Sequence, residues 1–181
     1  MTILNEAGSD GSSEVLFAIC EFLIDSPKVK KNEVEQIFSQ GGNENDRTVS
    51  NTINRWIQFK LFEETDFLGL SKELLNIFPK PCVKDISKMI RHVILSPRNN
   101  PLDKFWFKHS EEERGNFSVD FSRACAWILA QDLESFKFDA FKDIEQISIS
   151  QLQDQSKYTF KNNTRYPPLI RYMKLLGFIE P

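Results

Sequence analysis

The chain has 181 residues, 40% of them hydrophobic and 27% charged, with a formal net charge of −3, a composition suited to one mid-sized globular domain or two small ones. Sixteen phenylalanines, three tryptophans and three tyrosines supply material for a core, and no apolar run approaches the roughly 18 residues that a membrane span needs, so no membrane partner is expected. Cys20, Cys82 and Cys125 are odd in number and far apart, which argues against a disulfide framework; with no basic start and apolar stretch at the N-terminus, the chain reads as cytoplasmic.

Residues 1–12 read as a flexible tail. A helix is predicted over "SSEVLFAICEFLID", capped by Ser12 or Ser13, with Val15, Leu16, Ile19, Phe22 and Leu23 as its apolar stripe. Pro27 interrupts it, and a second helix follows in "NEVEQIFSQ", with Val34, Ile37 and Phe38 facing inward. The Gly41-Gly42 pair ends that helix. Asp46 or Thr48 then caps a third helix within "RTVSNTINRWIQFKLFEE", whose apolar positions are Val49, Ile53, Trp56, Ile57 and Leu61. Beyond it, "LFEETDFLGLS" predicts two short strands around a two-residue tip, Thr65-Asp66, and "KELLNIF" a helical turn ending at Pro79.

A basic amphipathic helix is expected from Val83 to Leu95, with Ile86, Met89, Ile90, Val93 and Ile94 inward and Lys84, Lys88 and Arg91 outward. The aromatic cluster Phe105-Trp106-Phe107 suits core that pins a linker, or else a base-stacking platform. Two more helices are expected in "SVDFSRACAWILAQDLESF", with Phe121, Ala124, Cys125, Ile128 and Leu129 buried, and in "FDAFKDIEQIS"; Trp127 is assigned to core. The final segment echoes the third helix at a spacing of 116 residues, setting Arg55-Trp56 over Arg171-Tyr172 and Glu64 over Glu180. Pro167 and Pro168 suit the first turn of that last helix. The expected organisation is a tail at 1–12, a module at 13–79, a basic and aromatic connection at 80–114, and a second module at 115–181 whose hairpin is cut short at Pro181. The fold class is mainly α with short β-hairpins, in tandem modules.

Charge is unevenly spread. Residues 47–60 hold three basic and no acidic side chains, and residues 80–109 hold seven basic and two acidic. Such clusters matter more to phosphate binding than the average does. No catalytic constellation stands out. His92 and His109 lack metal-ligand spacing, no glycine-rich phosphate loop is present, and Glu111-Glu112-Glu113 has no partner for metal or water chemistry. A non-enzymatic chain without cofactor or metal is the reading.

The order helix, helix, helix, hairpin and the stretch "RTVSNTINRWIQFKLFEE" resemble the recognition segment of winged-helix DNA-binding domains, well over residues 13–75 and loosely over 115–181. That resemblance implies that Arg47, Thr48, Ser50, Asn51, Asn54 and Arg55 face the major groove, where arginine suits guanine, asparagine suits adenine and hydroxyls suit phosphate oxygens. Lys84, Lys88 and Arg91 would extend a phosphate-tracking surface, joined by Arg98, Lys104 and Lys108; Lys161, Asn162, Asn163, Arg165 and Arg171 are the C-terminal candidates. The whole chain is similar to DpdG-type proteins of bacterial DNA-modification and defence clusters, through "ACAWILAQD" and "NNTRYPPLIRYMKLLGF". This implies an anti-phage or restriction component within a multi-protein system. The expected partners are double-stranded DNA and other protein subunits. The alternatives are a winged-helix adaptor that docks proteins without touching DNA, and a homodimeric repressor paired through the 117–131 helix.

Overall fold

A computed structural model of the chain describes residues 3–4, 12–39, 43–101, 118–131, 141–151 and 165–179. It is mainly helical, with one two-stranded antiparallel hairpin among the described residues. The chain divides into two compact units, one of Glu6–Ser96 with Arg171–Pro181 and one of Met1–Asn5 with Pro97–Ile170.

The first unit opens with α1 (Ser13–Asp25), whose N-cap Ser12 accepts hydrogen bonds from the Glu14 and Val15 backbone N–H groups at 3.2 and 3.4 Å. The Ser12 hydroxyl in turn donates to the Glu14 carboxylate, and this bond with that of the residue's own N–H holds the carboxyl below its usual range. Leu16, Ile19, Cys20 and Leu23 form the buried stripe, at the spacing of one helix face. Phe22 lies at its edge and meets the Phe38 ring of α2 (Lys31–Phe38) edge to face at 5.7 Å. In α2 the Glu33 carboxylate accepts the Lys30 N–H at 3.3 Å, and Val34 is buried. Ile37, expected inside, is 45% exposed although it shares a helix face with Val34 and Phe38, and of the three only Val34 is fully covered.

Helix α3 (Asn43–Gln58) starts ahead of the predicted caps Asp46 and Thr48, because nothing from Asn43 onward halts a helix once the Gly41-Gly42 pair is passed. It packs on α1, α2 and β1 and buries Val49, Thr52, Ile53, Arg55 and Trp56, with Phe59 just beyond its end. The Thr52 hydroxyl accepts the Ser12 N–H at 3.1 Å and donates to the Thr48 carbonyl at 2.7 Å, so it ties the start of α1 to the middle of α3. The helix ends in a Schellman motif: Leu61 N–H reaches the Trp56 carbonyl, Lys60 N–H reaches that of Ile57, and Lys60 takes a left-handed φ of 66°.

The chain then enters β1 (Phe62–Glu64), which pairs with β2 (Leu68–Leu70) in the register Phe62↔Leu70, Glu63↔Gly69 and Glu64↔Leu68. The tip is Thr65-Asp66-Phe67, one residue longer than predicted, closed by the Thr65 N–H on the Phe67 carbonyl at 3.1 Å. On its other side β2 bridges to Val29, the Leu68 N–H meeting the Val29 carbonyl at 2.9 Å. Ser71 caps the short α4 (Lys72–Ile77). After a 3₁₀ turn at Val83–Asp85 comes α5 (Ile86–Leu95), which packs on α1 and buries Ile86, Met89, Ile90, Val93 and Ile94, the predicted stripe. The last helix of the chain, α8 (Tyr166–Leu175), gives its C-terminal part to this unit, where the Tyr172 ring lies 6.3 Å from that of Trp56.

The end of α8 repeats the end of α3. Phe178 N–H reaches the Met173 carbonyl, Gly177 N–H reaches that of Lys174, and Gly177 has φ 71°. Leu176–Ile179 is turn and bend rather than the strand start that the echo suggested. By this geometry Lys60 corresponds to Gly177, a spacing of 117 residues rather than 116.

In the second unit, α6 (Val119–Leu129) buries Val119, Phe121, Ala124, Cys125 and Ile128, while Leu129 is 68% exposed, because the stripe that carries 121, 125 and 128 leaves 129 to one side. Trp127, assigned to core, is half-buried, and its indole N–H donates to the Gln151 side chain of α7 (Phe141–Gln151) at 3.0 Å. Gln151 donates in turn to Gln131 at 2.7 Å. The segment Phe105-Trp106-Phe107 lies outside the described residues.

A left-handed φ costs a side chain with a Cβ about 1 kcal/mol or more relative to glycine, so Lys60→Gly is expected to raise stability to urea by about 1 kcal/mol and Gly177→Ala to lower it by a similar amount. Burial pushes the Cys125 thiol up to about 12 and the Cys20 thiol upward as well, whereas Cys82 is exposed. Alkylation of the native protein near neutral pH should therefore label Cys82 and spare the other two until the protein unfolds, as peptide mass mapping would show.

Candidate nucleic-acid interface

The burial of Val49, Ile53 and Trp56 turns a polar face of α3 outward. Arg47 and Asn54 are exposed on it, and Thr48, Ser50 and Asn51 are half-buried. The positions 47, 51 and 54 follow helical spacing, so their side chains line up on one face. Arg55 does not join them. It is only 4% exposed, since the contacts of α3 with α1, α2 and β1 widen its buried arc to include the position beside Trp56.

The exposed face is already internally bonded at one end. The Lys31 ammonium donates to the side-chain Oδ1 of Asn54 at 2.6 Å and lies 3.6 Å from the Glu64 carboxylate. Asn54 donates onward to the Ser50 hydroxyl at 3.4 Å. A surface chain Ser50–Asn54–Lys31–Glu64 thus joins α3, α2 and β1. Sequence reasoning missed Lys31, because its role depends on tertiary contacts; its place at the first position of α2, next to the turn, was the available hint. The hairpin itself is acidic. Glu63 accepts the Lys72 N–H at 3.2 Å, Glu64 faces Lys31, and Asp66 and Phe67 are exposed at the tip.

The basic candidates of the middle segment lie on α5 and the turn before it. Lys84 is exposed; Lys88 is exposed and sits 3.4 Å from the Asp85 carboxylate. Asp85 accepts hydrogen bonds from the Cys82 thiol and N–H, which hold its carboxyl below the usual range. Arg91 is half-buried, with its guanidinium 5.5 Å from the centre of the Phe178 ring. Arg98 is exposed and Arg171 half-buried. Arg165 is half-buried in the second unit, and Lys104, Lys108, Lys161, Asn162 and Asn163 lie outside the described residues. The structure therefore brings Arg47, Thr48, Ser50, Asn51 and Asn54 together on one helix face, and sets Lys84, Lys88 and Arg91 on another element of the same unit.

His92 meets the Phe78 ring edge to face at 6.3 Å. Among the described residues no group of three His, Cys, Asp or Glu side chains is placed to hold a metal ion, and no described helix is long and apolar enough to cross a membrane.

These features define a mainly helical protein with a polar helix face beside a short hairpin. The family model for DpdG-like proteins matches residues 1–181, and the chain belongs to that family. No curated protein and no solved structure matches it.

Burial separates the two arginines of α3 by experiment. Arg55→Ala should lower unfolding stability by about 2 kcal/mol through the lost packing of a buried side chain, and Arg47→Ala should change it by less than about 0.5 kcal/mol, both read from denaturant titrations.

Proposed function

We propose that this DpdG-like protein is a non-enzymatic DNA-binding component of a bacterial DNA-modification or defence assembly, and that its first unit is a winged helix. The observation that carries this reading is the α3 face: Arg47, Asn51 and Asn54 lie in line on a helix whose opposite side is anchored by Ile53 and Trp56. The element order around it supports the same reading. Val29 between α1 and α2 bridges to β2, so a single bridge residue, two further helices and a hairpin follow the first helix, which matches winged-helix order. In that arrangement the third helix enters the major groove, its polar residues meeting base edges and phosphates. Exposed Lys84 and Lys88 would add phosphate contacts, and membership of the DpdG-like family is consistent with a DNA-modification setting.

A second reading, a protein-docking adaptor without DNA contact, is favoured by one observation. The hairpin carries Glu63, Glu64 and Asp66 and ends in Phe67, which is 42% exposed. An acidic wing repels phosphate, while an exposed aromatic tip suits a protein partner.

Mobility-shift titrations of duplex DNA at about 50 and about 200 mM salt separate the two readings. DNA binding predicts a shift at low salt that weakens steeply at the higher concentration. Arg47→Ala with Asn51→Ala should weaken it by about tenfold or more, and Lys88→Ala should reduce the salt slope by about one. No shift at low salt, or one indifferent to the α3 substitutions, would favour the adaptor.

A further inference from the structure

A groove of about 440 Å³ lies in the first unit, between α5 and the turn that ends α8. Its lining pairs two cations, Arg91 and Lys174, and the Ser87 hydroxyl with the apolar Leu175, Phe178 and Ile179. No acidic side chain is among its described lining residues. Its size falls within the roughly 300–1,000 Å³ of small-molecule sites.

The arginine is held in position by what lies beneath it. Its guanidinium stacks over the Phe178 ring at 5.5 Å, and one of its terminal nitrogens lies 3.7 Å from where a Cβ on Gly177 would stand. Both neighbours are set by the Schellman turn, which fixes Gly177 and Phe178 through bonds to Lys174 and Met173. The Nε of Arg91 is buried with no hydrogen-bond partner. That nitrogen is closed to solvent, so a ligand would meet the guanidinium at its terminal nitrogens.

From this lining we infer that the groove binds a nucleotide, with Arg91 and Lys174 receiving its phosphate and the Phe178, Leu175 and Ile179 side receiving its base. Guanidinium and ammonium groups recognise phosphate oxygens through charge-assisted bonds, the guanidinium as a fork and the ammonium as a point charge. A duplex backbone offers phosphate and sugar but has little to place against the apolar half of the lining. A single nucleotide, or an unpaired one at the end of a strand, fills both halves. This site stands apart from the α3 face and does not depend on whether that face binds DNA.

Isothermal titration of the full chain tests it, with adenosine and guanosine monophosphates, the two nucleosides and inorganic phosphate as probes. A monophosphate should bind saturably, and its nucleoside and inorganic phosphate should each bind at least about tenfold more weakly. Arg91→Gln and Lys174→Ala should each weaken the monophosphate by about tenfold, while Lys72→Ala, an exposed lysine outside the groove's lining, leaves it unchanged. Lys174 is exposed, so its substitution reads the site even should Arg91→Gln unfold the chain. The proposal is overturned if neither monophosphate saturates in the millimolar range, if inorganic phosphate binds as tightly as they do, or if Lys174→Ala leaves their affinity unchanged.

Discussion

The Thr52 hydroxyl stands between two helices, taking the Ser12 N–H on one side and giving its hydrogen to the Thr48 carbonyl on the other. Around it Val49, Ile53 and Trp56 are almost wholly buried, and Trp56 carries the Phe59 and Tyr172 rings at 5.7 and 6.3 Å. This seat fixes the rotation of α3 about its axis. A helix turned by one residue would move by about 100°, enough to bury Asn51 and expose Ile53. Which polar groups the unit presents is therefore decided on the buried side.

Much of the first unit was legible from spacing alone. Helix α1 with its Ser12 cap, the hairpin, and the five-residue stripe of α5 all follow from local periodicity and capping. What escaped depends on neighbours distant in sequence. Arg55 reads as polar surface until α3 is seen to pack on three elements. Ile37 and Leu129 read as core by spacing, yet the packing of their helices leaves both outside. The face around Asn54 looked like free hydrogen-bonding groups, and Lys31 shows that part of it is already engaged. The sequence echo likewise needed the backbone. Residue similarity aligns Arg55 with Arg171, whereas the two Schellman turns align Arg55 with Tyr172 and put Arg171 in the place of Asn54. That second alignment also matches burial, since Arg55 and Tyr172 are both buried and Asn54 and Arg171 are not.

Charge separates the surfaces of the first unit. The hairpin is acidic and exposes Phe67 beside Asp66 at its tip, while the turn before α5, α5 itself and the end of α8 carry Lys84, Lys88, Arg91 and Lys174. A protein with net charge −3 can thus offer phosphate a local cationic surface, because the field near a cluster outweighs a weak and distant average. The turn ending α8 serves this arrangement directly: its glycine permits the left-handed backbone that sets Phe178 beneath the Arg91 guanidinium.

The Lys31 bridge has a consequence for how this surface responds to its medium. Dissolved ions screen the attraction between Lys31 and Glu64, which lie on the exterior of the protein, and so loosen the hold on Asn54. The same ions compete with the protein for any phosphate it meets. The two effects oppose each other, one freeing the asparagine and the other weakening the contact it could make. On the proposed DNA-binding reading, the apparent number of released counterions undercounts the phosphates that α3 touches, and substituting Glu64 by glutamine brings the two numbers closer together.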